Sequence, residues 1–218
     1  ITKVGEGSRM YLQLEVKTIA NGQLSKALEW LSQLHEVMAR NEGFIDARSS
    51  QFLGTTGQYL VGRTWLNAEA HQAYRATPEA VAFTGGPMPY KNLLVQRWDE
   101  LMRSIGDAQG NFLVRTIHKI RSGSWDEYLE NRRRYDTLSL REGGVVDVHT
   151  YRLLASGADG IEALVLERRH SREGYDRLLE SSDYVEYEKA LPAGLYSTEL
   201  TECYEVIQET NIDALEGN

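Results

Sequence analysis

The stretch MYLQLEVKTIANGQLSKALEWLSQLHEVMARNEGF, residues 10–44, decides the fold. Its first third alternates: Leu12, Leu14 and Val16 fall on one side and Gln13, Glu15 and Lys17 on the other, the period of a β-strand. Asn21-Gly22 is a turn signal. From Leu24 the apolar spacing changes to three and four, through Leu28, Leu31, Leu34 and Met38, which predicts an amphipathic helix. Glu42-Gly43 ends it, since glycine takes the left-handed conformation that closes a helix.

Working outward, residues 44–53 and 58–65 read as a hairpin around Gly54-Thr55-Thr56-Gly57. Residues 67–83 read as a second helix, loosened by Pro78. A Gly/Pro loop, Thr84 to Pro89, leads to a last strand at 90–98. The order is βαββαβ, and the chain then repeats it. At an offset of 101, Leu12 matches Leu113, Ile19 Ile120, Gly22 Gly123, Gly43 Gly144 and Asp46 Asp147. After an insertion near Ser156-Gly157-Ala158 the offset is about 104, with Glu69 matching Glu173 and Val81 matching Val185. Tyr90 and Tyr196 close the series. Two units are therefore expected, 1–106 and 107–218, with 99–110 as linker and a polar, frayed tail after Ile207.

A βαββαβ unit is the ferredoxin-like split arrangement, a four-stranded antiparallel sheet with both helices on one face. Two such sheets in one chain can cover each other's free faces. The expected fold is α+β: two tandem ferredoxin-like units whose antiparallel sheets pack into an intrachain α+β barrel.

Composition narrows the function. The 218 residues carry 24 Lys plus Arg against 32 Asp plus Glu, a charge of −8, which disfavours nucleic acid as a partner. No apolar run approaches the ~20 residues that span a bilayer, so no membrane partner is expected. One Cys forms no internal disulfide and no Cys-rich zinc site. Cytoplasmic location and a small-molecule partner are the default expectations.

The first unit resembles the antibiotic biosynthesis monooxygenase superfamily, the dimeric α+β barrel proteins. Asn41-Glu42-Gly43-Phe44, Arg63-Thr64-Trp65, Glu69-Ala70 and Ala76-Thr77-Pro78 before Phe83 carry the resemblance. The second unit keeps the layout but has Arg169 where Trp65 stands. The resemblance implies a substrate cleft between helices and sheet, and an activity drawn from cofactor-free monooxygenases, haem-degrading oxygenases or isomerases. Two histidines common in the family are replaced here by Tyr74 and Glu79. The haem-degrading branch has a Trp at the Tyr74 position and a His near Thr84, and this chain has neither.

The two units differ most where polar residues enter apolar stripes. In the first helix of unit one, His35 joins the stripe. In unit two the stripe reads Trp125, Leu129, Arg132, Tyr135 and Ser139, with Asp136 replacing His35 at the i,i+4 spacing from Arg132. Arg115 replaces Leu14 on the strand face expected to meet this helix. A buried unpaired charge is costly. The seam of unit two is thus either a ligand pocket, with Arg115, Arg132 and Asp136 binding substrate and Tyr135 and Tyr175 as walls and proton donors, or an ion-pair network of Arg115, Arg132, Asp136 and Glu167. The opposite strand faces, with Gln13, Glu15, Lys17, Thr116, His118, Asp46, Arg48, Asp147 and His149, are assigned to the barrel interior. There His149 beside Asp147 could act as a general base. A metal on His118 and His149 is disfavoured because a third strand separates theirs, by ~10 Å. His71 reads as a surface helix position, with a pocket position as the alternative; Trp65 reads as core.

These readings lead to a cofactor-independent monooxygenase-like enzyme acting on an aromatic or polyketide-like molecule, with no cofactor and no metal. The alternatives are a non-catalytic small-molecule or haem binder, and an isomerase or cyclase.

Overall fold

The computed structural model describes residues 2–3, 10–54, 57–154 and 162–211. The insertion near Ser156 and the hairpin residues Thr55-Thr56 lie outside them. The elements are β1 (Thr2–Lys3), β2 (Tyr11–Thr18), α1 (Leu24–Ala39), β3 (Phe44–Phe52), β4 (Gln58–Trp65), α2 (Ala68–Arg75), α3 (Pro78–Thr84) and β5 (Lys91–Ile105). The pattern then recurs as β6 (Phe112–Ile120), α4 (Trp125–Glu142), β7 (Val145–Leu153), β8 (Glu162–Arg169), α5 (Arg172–Glu180), α6 (Ser182–Lys189) and β9 (Tyr196–Asn211). This is the expected tandem of ferredoxin-like units.

Among the described residues, the first compact unit holds 10–99 and 205–211, and the second holds 100–204 with 2–3. In the first, the strands lie in the order β5–β2–β4–β3–β9; in the second, β9–β6–β8–β7–β5. Each unit thus gains a fifth strand from the continuation of the other's last strand. Residues 99–105, read from the sequence as linker, are strand, and so is the tail to Asn211. The alternation that carries β5 onward is Trp98, Glu100, Met102 and Ser104, all buried. Two of these four are polar, which hides the period in the sequence.

The segment read as one loosened helix is two. Asn67 caps α2 by accepting from the Ala70 amide at 2.8 Å, and Thr77 caps α3 by accepting from the Ala80 amide at 3.2 Å, with Pro78 in the first turn. Helix α1 stops at Ala39, so Gly43 is not its immediate cap. Gly43 has φ +84°, and a Cβ there would lie 2.6 Å from the Ala70 Cβ, so it must be glycine for both backbone and packing reasons.

The strand phase is the reverse of that expected. In β2, Tyr11 packs in one cluster with Leu34 and Met38 of α1, Trp65, Tyr74 and Ala80. The strand alternates, so Gln13, Glu15 and Lys17 face the helices with it. Leu12, Leu14 and Val16 are buried on the opposite face. By the same phase in β6, His118 meets Tyr128 of α4 at 2.8 Å, while Arg115 turns away. The polar face can be buried under helices because its charges neutralise one another, as described next.

Candidate functional site

In the first unit, the sheet face under the helices is a ladder of registered rows. Tyr11 lies between Trp65 and Asp99, Gln13 between Arg63 and Arg97, Glu15 between Val61 and Val95, and Lys17 between Tyr59 and Asn92. Glu15 is clamped: Arg63 Nη1 lies 2.9 Å from its carboxylate, Lys17 ion-pairs with it and Gln13 donates at 2.5 Å. Burial alone would raise the Glu15 carboxyl, but the Arg63 and Lys17 cations prevail and hold it at about 2. Burial lowers Lys17 to about 8, although Glu15 opposes it. The ammonium also donates to Asn92 at 2.7 Å and lies 3.6 Å from the Tyr90 ring centre. From α1, the fully buried His35 accepts a hydrogen bond from Arg63 Nε on its Nε2 at 3.2 Å. Burial and the Arg63 charge keep that imidazole neutral, well below its ordinary pKa.

Above this floor opens a cleft of about 540 Å³ between sheet and helices. Its walls include Trp30, Met38, Tyr74, Met88 and Tyr90, and its polar groups include Gln13, Arg63, His71, Arg75 and Arg97. His71 is 6% exposed, so the surface position expected for it is corrected. Its ring stacks on Tyr11 at 5.0 Å and lies 5.5 Å from Trp65, and burial with the charges of Arg75, Arg97 and Arg63 lowers it to about 4. Tyr74 stacks on Trp65 at 5.1 Å. Its hydroxyl is buried and has no hydrogen-bond partner among the described residues. Such an orphan costs ~1–3 kcal/mol.

In the second unit, the equivalent seam is filled by its own side chains. Arg132 Nη2 donates to Asp136 at 2.9 Å, Ser104 donates to the other Asp136 oxygen at 2.7 Å, and the Arg132 guanidinium lies 4.4 Å from the Tyr135 ring. Tyr135 and Ser139 donate to the two oxygens of Glu167, each at 2.9 Å, and Arg169 donates to Glu167 at 2.6 Å and also bonds Ser139. The ion pairs of this seam are Arg132–Asp136 and Arg169–Glu167. Register explains the exchange: Val114 pairs Glu167 where Gln13 pairs Arg63, and Phe112 pairs Arg169 where Tyr11 pairs Trp65. Glu167 is paired by Arg169 of its own strand, and Arg132 by Asp136 of its own helix.

Arg115 does not join this seam. It pairs with Glu202 at 2.8 Å on the opposite sheet face, because the strand phase is reversed. Tyr175 lies beside Phe112, ring centres 6.0 Å apart, with Arg169 5.8 Å from its ring. His149 and Asp147 do come together: His149 Nδ1 donates to the buried Glu100 at 2.5 Å, its Nε2 lies 3.6 Å from Asp147, and Asp147 pairs Arg168 at 3.0 Å. This is the counterpart of Arg48 and Glu209 in the first unit, paired at 2.9 Å. His118 faces α4 and His149 the other side of the sheet, so the two do not converge. Among the described residues no His/Cys/Asp/Glu cluster is arranged to hold a metal ion, and no helix is long and apolar enough to cross a membrane.

Residues 10–85 match the family model described as antibiotic biosynthesis monooxygenase. That span includes the Glu15–Arg63–His35 floor, His71 and Tyr74. No curated protein matches the chain. Among solved structures, the chain is similar to a candidate monooxygenase from Fusobacterium nucleatum, with 10% identity, 94% and 95% of the two chains covered and a TM-score of 0.73. It is similar to another from Lactobacillus acidophilus, with 16% identity, coverage of 94% and 97% and a TM-score of 0.70. An anthrone oxidase-like protein matches with 13% identity, coverage of 97% and 96% and a TM-score of 0.61. At these identities the likeness is one of fold.

Proposed function

We propose, from the match of residues 10–85 to the antibiotic biosynthesis monooxygenase family model, that the chain is a monooxygenase-like oxidoreductase whose substrate, an electron-rich aromatic or polyketide-like phenol, occupies the first unit's helix–sheet cleft. The buried Tyr74 hydroxyl carries the reading: a polar group without a hydrogen-bond partner among the described residues, on a wall of aromatic and aliphatic side chains. It is placed to donate to a substrate oxygen.

The acid–base roles follow from the charges. His71 is neutral at pH 7 and can accept a proton. Arg63, one of the charges that disfavour the imidazolium, favours an enolate or phenolate beside it. Once that anion forms, it offsets the Arg63 charge and the proton on His71 becomes easier to hold. The deprotonated, electron-rich ring then reacts with oxygen directly. For an anthrone, the CH2 carbon takes one oxygen atom and becomes a carbonyl, and the second leaves as water with the two hydrogens. That balance closes with no added cofactor. In the same reading the barrel is completed within the chain, and the enzyme acts in the cytoplasm.

Oxygen-electrode assays with an anthrone test this. The expected result is one O2 consumed per quinone formed, with His71→Gln lowering kcat and Tyr74→Phe raising KM. Binding without oxygen uptake would make the protein a non-catalytic binder, and a rearranged product formed without oxygen would make it an isomerase or cyclase.

A further inference from the structure

Three guanidinium groups line the first unit's cleft, and they are not alike. Arg63 is 2% exposed and holds Glu15. Arg75 and Arg97 are exposed. Arg97 stands across Gln13 from Arg63, on the outer strand of the row. Both arginines act on the neighbouring Tyr11 hydroxyl, where Asp99, opposite Tyr11 on the same face, opposes them. Arg75 ends α2, next to Tyr74. Glu15, the acid in the lining, is already neutralised by Lys17 and Arg63. In a chain of charge −8, the exposed part of the cleft lining is therefore cationic. The buried part offers the Tyr74 hydroxyl.

We propose that the molecule bound in this cleft carries a carboxylate in addition to its phenolic oxygen, gripped by the exposed Arg75 and Arg97. This rests on the cleft being the aromatic substrate's site and adds the substrate's charge class. Guanidinium groups match a carboxylate in shape and charge, and charge-assisted hydrogen bonds are the strong ones. The carboxylate would fix which end of the ring enters first and so which carbon lies near His71.

The test uses two probes of one shape, 6-hydroxy-2-naphthoate and its neutral analogue 6-hydroxy-2-naphthamide, titrated calorimetrically into the full chain at pH 7. The native protein is expected to prefer the carboxylate about tenfold or more, with the gap narrowing at high salt. The gap should close in Arg75→Gln/Arg97→Gln, whose exposed sites leave the fold intact by circular dichroism. Equal binding of the two probes by the native protein, or an unchanged gap in the double variant, overturns the clamp but leaves the aromatic site standing. If neither probe binds at millimolar concentration, the clamp and the cleft reading fail together.

Discussion

Tyr74 illustrates how one atom separates folding from binding. Its ring is 3% exposed and its hydroxyl has no partner among the described residues, so the hydroxyl costs free energy in the empty protein. Tyr74→Phe should therefore hold the stability or raise it by about 1 kcal/mol, seen as a melting temperature higher by roughly 2–4 °C. The same change should weaken a phenolic ligand about tenfold. A drop in melting temperature would mean that the hydroxyl has a structural partner. Arg132 is the opposite case. It is 4% exposed and paired with an Asp136 that is fully buried. Arg132→Leu strands that carboxylate, and a loss of about 3–5 kcal/mol is expected in chemical denaturation. A neutral result would reopen the seam of the second unit as a ligand pocket. His71 was hard to read for a plain reason. On a short helix between Glu69 and Tyr74 the sequence shows polar neighbours, and the Tyr11 ring that stacks on it comes from a strand far away in the chain.

At the scale of elements, most of the layout was legible. Alternation marked β2, the three-and-four spacing marked α1, and Pro78 marked the break between α2 and α3. The phase of β2 was not. Leu12, Leu14 and Val16 look like the helix-facing side, yet Gln13, Glu15 and Lys17 take it, because both faces of the strand are buried and alternation says only that they differ. What permits the polar face is Arg63 and His35, brought in by β4 and α1, and no local pattern announces them. The reversed phase also moves Arg115, which pairs Glu202 on the opposite sheet face instead of sharing the seam with Arg132 and Asp136. Gly43 was legible as a glycine position but for an incomplete reason, since Ala70 also presses on it. Gly43→Ala should cost about 2–4 kcal/mol, from the left-handed backbone and the clash together. Gly22→Ala, at φ +78° with nothing within 4 Å of the added Cβ, should cost only about 1–2 kcal/mol. Equal costs in urea titrations would refute the close approach of α2 to Gly43.

The whole molecule shows what duplication allowed. One unit kept an open cleft over an Arg63–Glu15–Lys17 floor, and the other filled the matching space with Arg132, Tyr135, Glu167 and Arg169. Both units bury an imidazole: burial and Arg132 lower His118 to about 3, and burial with nearby arginines lowers His71 to about 4. Each folded value lies below the 6.5 of the unfolded chain, so the unfolded state takes up protons first as the pH falls. Stability from both is complete above pH 6.5 and is lost as the pH falls toward 4 and then 3. Glu15 adds a lower window, from 4.5 down to about 2. The melting temperature should therefore fall steadily below pH 6.5, by an amount on the order of a few kcal/mol in stability. A flat profile from pH 6.5 to 4 would mean that His71 is not held neutral by its surroundings.

The central claim is that the ligand site belongs to the first unit. The chain has five histidines, and three of them, His71, His118 and His149, report on three separate places: the cleft, the filled seam and the far sheet face. The most direct measurement is an NMR titration of the histidine ring protons with 6-hydroxy-2-naphthoate. The account predicts that the His71 resonances move and that its pKa rises from about 4 as the anion binds, while His118 and His149 stay still. Movement of His118 or His149 with His71 unchanged would contradict it.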